Sequence, residues 1–258
     1  MEESKKRIEL IDGLRGLAVV LMVIHHLLYN LAAFLDAPWW LFTNPLFDLL
    51  HYLFAGLFIF LSGVSSRFSR SNIRRGLIVI VIAIVITIVT YFLEMPIWFG
   101  ILHLLGFSML FFGLTARLWN LIPRKAAPCV FIPLIVLGSL ARAHFSPTSG
   151  NLWVRNILAI LGWPRTGVHS AVNLTLLPWN PDFVFVSYDY FPLFPWLFVF
   201  LLGTWAGLYI RERKLPGWFY EATFPVFPKI GRKALIIYIL HQPVLYGIVM
   251  GVRMLFFK

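Results

Sequence analysis

Residues 12–30, DGLRGLAVVLMVIHHLLYN, decide how the rest of the chain is read. The stretch is apolar and long enough to cross a bilayer, yet it carries an aspartate, an arginine and two histidines. Titratable groups inside a span are costly, so a chain keeps few that it does not use. At about 100° per residue, Asp12, Arg15, Val19, Met22 and His26 fall close together on one helix face. Arg15 and His26 stand eleven residues apart, three turns, or roughly 16 Å along the axis. His25 points about 100° away from that stripe. One stripe therefore holds a cation near the membrane surface and an imidazole near mid-membrane. That predicts a ligand that enters at Arg15 and is worked on at His26.

The 258 residues are 60% hydrophobic and only 13% charged, with a mean hydropathy of +0.82. A soluble domain of this size needs far more polar surface, so the composition points to a polytopic all-α membrane protein, one domain over residues 1–258. Seven spans are predicted, at about 9–34, 48–66, 74–93, 98–117, 127–144, 190–210 and 232–254. The opening MEESKKRIEL leads into an apolar run too long for a signal peptide, so that run is kept as the first span. Cys129 is alone, which excludes an internal disulfide and a cysteine-based metal cluster. Ten tryptophans suit interfacial belts. The net charge of +11 would suit nucleic acid if it were spread over one face. Instead, 17 of the 22 lysines and arginines fall on the side of the N-terminus and five on the other. That bias predicts a cytoplasmic N-terminus and an external C-terminus, with no nucleic-acid partner.

Span two contains His51, and its small residues Ala55, Gly56, Ser62 and Gly63 predict close packing on span one. Then comes VSSRFSRSNIRRG, residues 64–76, with two readings. It is a positive-inside loop on anionic lipid, or a phosphate site in which Arg67, Ser69, Arg70, Asn72, Arg74 and Arg75 supply the donors. Arginine forks suit phosphate better than lysine, and this run has no lysine. Span three reads as a lipid-facing scaffold with Thr87 and Thr90 as its polar residues. Span four carries His103 in its outer half, with Gly100, Gly106 and Gly113 for close packing. Residues 145–188 form one long connection, which reads as a lid over an outer site. Within it, NLWVRNILAILGW is too short to span and reads as an interfacial or re-entrant helix. Asp189 follows at the outer mouth, either to bind a cationic or hydroxyl-bearing acceptor or as a helix N-terminal charge. In the last span, Gln242 and Pro243 after His241 predict a bend that frees backbone groups.

Four histidines thus lie in spans, His26, His51, His103 and His241, with His25 beside the first. A single buried histidine is ordinarily a packing residue, but four at graded depth invite a chemical use. No HxxxH or HxxE spacing supports a metal. A neutral imidazole suits general-base work. His26 leads by its register with Arg15, and His241, His103 and Asp189 complete the candidate catalytic set. No activated serine or cysteine lies at that depth, which favours direct transfer and leaves an acyl-histidine open. A proton-coupled transporter or lipid flippase would use the same histidines as a relay. The absence of an internal repeat and the one-sided arginines count against it. A non-catalytic assembly subunit leaves the Arg15–His26 register without a purpose.

The opening LIDGLRGLAVVLMVIHH resembles the first helix of bacterial proteins of the heparan-alpha-glucosaminide N-acetyltransferase catalytic-domain family, within the transmembrane acyltransferase superfamily that includes acyltransferase type 3. The D-x-x-R-G motif with a histidine eleven positions after its arginine maps onto Asp12, Arg15, Gly16 and His26. FLSGVSSRFSRSNIRRG, GILHLLGFSML, DYFPLFPWLFVFLLG and IGRKALIIYILHQP are similar in order and spacing to further segments of that branch. The resemblance implies a helical enzyme of the bacterial plasma membrane. It would take an acetyl group from cytoplasmic acetyl-CoA and pass it to an amine or hydroxyl of a sugar or glycan at the outer face. His26 would be catalytic, and Asp12, Arg15 and the arginine loop would hold coenzyme A, with no metal. The lysosomal members carry asparagine at the His26 position and a histidine in the loop after span one. Residues 31–47 here contain no histidine, so their acceptor and mechanism do not transfer directly. The pantetheine arm, about 15–20 Å long, matches the Arg15–His26 distance. Homo-oligomerisation is left open.

Overall fold

A computed structural model describes residues 7–144, 152–162, 189–222 and 224–256. Among these, helices account for every regular element, and the one β contact is an isolated bridge between Phe99 and Tyr190. Six helices are long and apolar enough to cross a membrane: α1 (Glu9–Phe34), α2 (Pro45–Ser66), α3 (Asn72–Phe92), α4 (Ile101–Trp119), α7 (Leu193–Arg211) and α10 (Ala234–Phe256). A seventh, α5 (Ala127–His144), contains a shorter apolar stretch, Ala127–Ala141. The chain is therefore all-α and polytopic, with helices where the seven spans are predicted. Three shorter α-helices and a 3-10 turn at Trp39–Leu41 join them: α6 (Leu152–Leu161), within the segment predicted to be interfacial or re-entrant, α8 (Gly217–Glu221) and α9 (Phe227–Arg232). The predicted lid falls largely in residues 163–188, outside the described residues.

The ends of the spans are written locally. α1, α3 and α7 are each followed, two residues past their last turn, by a residue with positive φ: Asp36 at 53°, Glu94 at 57° and Arg213 at 51°. A left-handed residue there ends a helix by turning its last carbonyls towards the following N–H groups. α3 begins at Ser71, whose hydroxyl accepts the backbone N–H of Arg74 at 3.2 Å.

The chain groups into two compact bodies, residues 1–61 with 212–258, and residues 62–211. In the first, α1 packs against α9 and α10. In the second, α3 pairs with α4 and α5 with α7. Gly76 and Gly106 let the α3 and α4 backbones approach, since a methyl on Gly76 would stand 2.8 Å from the Gly106 oxygen. The sequence predicts that span two uses its small residues against span one. Gly63 instead meets α7, where a methyl would overlap the Phe200 carbonyl. α3, expected as a plain scaffold, presents exposed Leu77, Val81, Ile84 and Ile88, but its Thr87 has a specific task described below.

Candidate active site

The Asp12 end of α1 is fastened to α9 by two glycines. A methyl on Gly16 would overlap the carbonyl of Phe227, and one on Gly231 would overlap that of Asp12. Each would also stand 3.0 Å from the other glycine's nitrogen. Only hydrogen fits between backbones this close. The contact carries Arg232, the next residue, up to Asp12. Arg15 Nη1 donates to Asp12 Oδ1 at 3.0 Å, and Arg232 Nε stands 3.6 Å from Asp12 Oδ2. Arg232 Nη2 is 3.6 Å from Glu9 Oε1. Two carboxylates and two guanidiniums form one cluster. Asp12 thus has a cation on each oxygen, Arg15 on Oδ1 and Arg232 near Oδ2.

Three turns further along α1, the rings of His26 and His241 lie 4.8 Å apart. His25, off the stripe, stacks on His51 of α2 at 4.4 Å and lies 5.8 Å from His26. α10 stays helical through Gln242 and Pro243, where the sequence predicts a bend. His241 Nδ1 lies 2.6 Å from the Tyr238 carbonyl. A carbonyl only accepts, so Nδ1 carries the proton and the neutral ring keeps its lone pair on Nε2. That nitrogen is buried and has no partner among the described residues. Beside it, Gln242 Nε2 donates to Oδ1 of Asn30 at 3.1 Å. Asn30, 0% exposed, stands one turn beyond His26. Asn30 Nδ2 and Gln242 Oε1 are likewise buried without a partner among the described residues. Each such atom costs roughly 1–3 kcal/mol, and three of them fall on His241, Gln242 and its partner Asn30.

His103 and Asp189 come together elsewhere, at the start of α4. The backbone N–H of Gly100 donates to His103 Nδ1 at 3.2 Å, so the ring proton sits on Nε2, which donates to Thr87 Oγ1 at 3.1 Å. The Thr87 hydroxyl in turn donates to the Ile97 carbonyl at 2.5 Å. Asp189 Oδ2 accepts the backbone N–H of Ile101 at 3.2 Å. Both side chains satisfy first-turn N–H groups that a helix otherwise leaves open. The bond to Ile101 matches the helix N-terminal reading of Asp189, on α4 rather than on its own α7.

The arginine run divides by environment. Arg67 is turned inward: Nε donates to the Thr204 carbonyl at 2.9 Å, Nη1 to Asn120 Oδ1 at 2.8 Å, and the guanidinium lies 4.7 Å from the Phe112 ring centre. Burial, with Arg211 and Arg124 nearby, pushes its pKa down to about 10, so it keeps its charge at neutral pH. Asn72 spends an N–H on the Ser66 carbonyl at 2.9 Å. Arg70, Arg74 and Arg75 are exposed beside the N-terminus of α3, and the Ser69 hydroxyl is buried without a partner among the described residues. These exposed guanidiniums lie where the helix dipole is positive.

Arg232, Asn30, Gln242 and Thr87 were not singled out from the sequence as site residues. Asn30 left a signal, four residues after His26 on the same face; Arg232 left none short of knowing which glycine Gly16 meets. Among the described residues no three of His, Cys, Asp or Glu are placed to share a metal ion. The family model described as heparan-alpha-glucosaminide N-acetyltransferase, catalytic, matches residues 7–243. No curated protein and no solved structure matches the chain.

Proposed function

The chain belongs to the heparan-alpha-glucosaminide N-acetyltransferase catalytic family, a membrane acetyltransferase, and from that premise we propose that it moves an acetyl group from cytoplasmic acetyl-CoA to an amine or hydroxyl of a sugar or glycan at the outer face. One observation carries the mechanism: His26 and His241 pair at 4.8 Å, and His241 keeps an unshared nitrogen lone pair there. The acceptor attacks the thioester carbonyl and gives its proton to His241 Nε2. The C–S bond breaks, and the departing sulfur takes that proton to leave as the free thiol. His26 stands on the Arg15 stripe, at the reach of a pantetheine arm of about 15–20 Å. Arg15 and Arg232 are proposed phosphate donors, and so, independently, are Arg70, Arg74, Arg75 and Ser69. Arg67 and Asn72, placed among them from sequence, support the loop from inside. His103 and Asp189 hold the start of α4 rather than exchange protons. The skew of basic residues supports an N-terminus in the cytoplasm of a bacterial plasma membrane.

The test uses purified protein, radiolabelled acetyl-CoA and glucosamine as acceptor. Wild type transfers label, whereas His26→Ala and His241→Ala bind acetyl-CoA and do not transfer it. Full transfer by both variants sinks the mechanism, and saturable uptake driven by a pH gradient without acetyl-CoA binding sinks the function.

A further inference from the structure

Asn30 and Gln242 have so far been only neighbours of the histidine pair. They are two carboxamides in apolar helices, Asn30 buried and Gln242 half-buried, joined by a single N–H···O bond at 3.1 Å. One such bond uses one oxygen and one N–H, and leaves an NH2 on one side and a carbonyl on the other. Here those are Asn30 Nδ2 and Gln242 Oε1, both buried, neither with a partner among the described residues. Turning both amides end for end would exchange their roles and leave the same donor and acceptor. A pair kept for packing alone gains nothing from this, because two apolar side chains of the same shape avoid the desolvation.

We propose that the Asn30–Gln242 pair is a catalytic polar clamp on the acetyl group: the amide N–H donates to the thioester carbonyl oxygen, and the amide oxygen accepts a hydrogen of the attacking group. The inference rests on the acetyltransferase reading of the neighbouring histidines. The placement follows from sequence and helix geometry. Asn30 is one turn, about 6 Å, beyond His26, and Gln242 follows His241 directly. As the acceptor adds to the carbonyl carbon, its oxygen takes up the electron pair of the C=O bond. A fixed N–H donor stabilises that charge more than the starting carbonyl. The pair returns unchanged when the C–S bond breaks. For an amine acceptor, one hydrogen goes to His241 Nε2 and the amide oxygen holds another. The bond between the two amides fixes the donor before substrate arrives, so no reorganisation is needed during reaction.

The experiment needs no knowledge of the acceptor. Acetyl-CoA labelled with carbon-13 at its carbonyl is bound to the purified full chain, and the carbonyl stretch is read by infrared difference spectroscopy. Transfer to glucosamine is measured in parallel. In wild type the bound stretch moves to lower frequency than in solution. The double variant Asn30→Leu with Gln242→Met replaces both partners by apolar groups of similar size. It keeps the melting temperature and acetyl-CoA affinity of wild type, loses the shift and lowers kcat by about 10²–10³-fold. Asn30→Asp, which keeps the shape and removes the N–H, loses the shift too. A bound thioester at its solution frequency in wild type, or a double variant with wild-type shift and kcat, overturns the clamp while leaving the histidine mechanism standing. Failure of wild type to bind acetyl-CoA overturns the acetyltransferase reading itself, and the clamp with it.

Discussion

His103 and His241 look alike at first. Each is a half-buried histidine in an apolar helix, and each has one ring nitrogen tied to backbone three residues earlier. Their surroundings differ. Around His103, the second nitrogen meets Thr87, Thr87 meets the Ile97 carbonyl, and Asp189 takes the N–H of Ile101. Around His241, the second nitrogen and two neighbouring amide atoms have no partner among the described residues. Folded chains rarely leave buried polar atoms unpaired. In the proposed reading, a histidine whose bonds close holds a helix start in place, and one whose second nitrogen stays open meets the substrate. Lying within a predicted span, as both do, does not tell them apart.

The sharpest way to break this contrast is to exchange the losses. His241→Gln should lower transfer by about 10²–10⁴-fold and leave acetyl-CoA affinity, read by calorimetric titration, within about twofold. His103→Gln should keep most of its activity; if it is the silent variant and His241→Gln the active one, the contrast is reversed. Next in size is the backbone fastening on which the His241 side depends. Gly16→Ala forces a methyl into a carbonyl and should cost about 1–3 kcal/mol, seen as a lower melting temperature together with weaker acetyl-CoA binding. Gly231→Ala should do the same. The double variant should fall short of the sum, because both relieve one contact. On the other side of the contrast, His103→Ala should lower the melting temperature by the loss of a cap, about 0.5–2 kcal/mol. Thr87→Val combined with it should add little. The smallest effects belong to the arginines. Arg70→Ala or Arg74→Ala should weaken acetyl-CoA binding by about 2–5-fold, less at high salt. Arg67→Ala should lower stability instead, with affinity unchanged.

The spans were legible because apolar runs of bilayer length leave little choice of structure, and helices stand at all seven places. The Asp12–Arg15–His26 register was also legible, being a matter of spacing within one helix. Contacts between helices were not. The glycine of the D-x-x-R-G segment advertises a close approach but does not say that Gly231 is what approaches, so Arg232 went unnoticed. Gly63 in span two showed the same ambiguity, and α7 rather than span one proved to be its partner. His103 could not be recognised as a cap from sequence, because its bonds run to Gly100 and to Thr87 in another helix. The open atoms of Asn30 and Gln242 depend on a bond between residues 212 positions apart. Arg67 and Arg74 are identical letters seven residues apart, and only packing turns the first inward.

That separation has a consequence in time. The ribosome adds roughly 5–20 residues per second, so some 10–40 seconds pass between the making of Asn30 and of Gln242. Through that interval the first helix carries Asp12, Arg15, His26 and Asn30 without Arg232, His241 or Gln242. The polar stripe is therefore an unfinished surface during synthesis, and it closes only when the late segment from Phe227 onward folds back on it. A chain interrupted before Gly231 would have the first half of its site and nothing to shelter it. Such a stripe is a feature by which a cell could tell an incomplete molecule from a finished one.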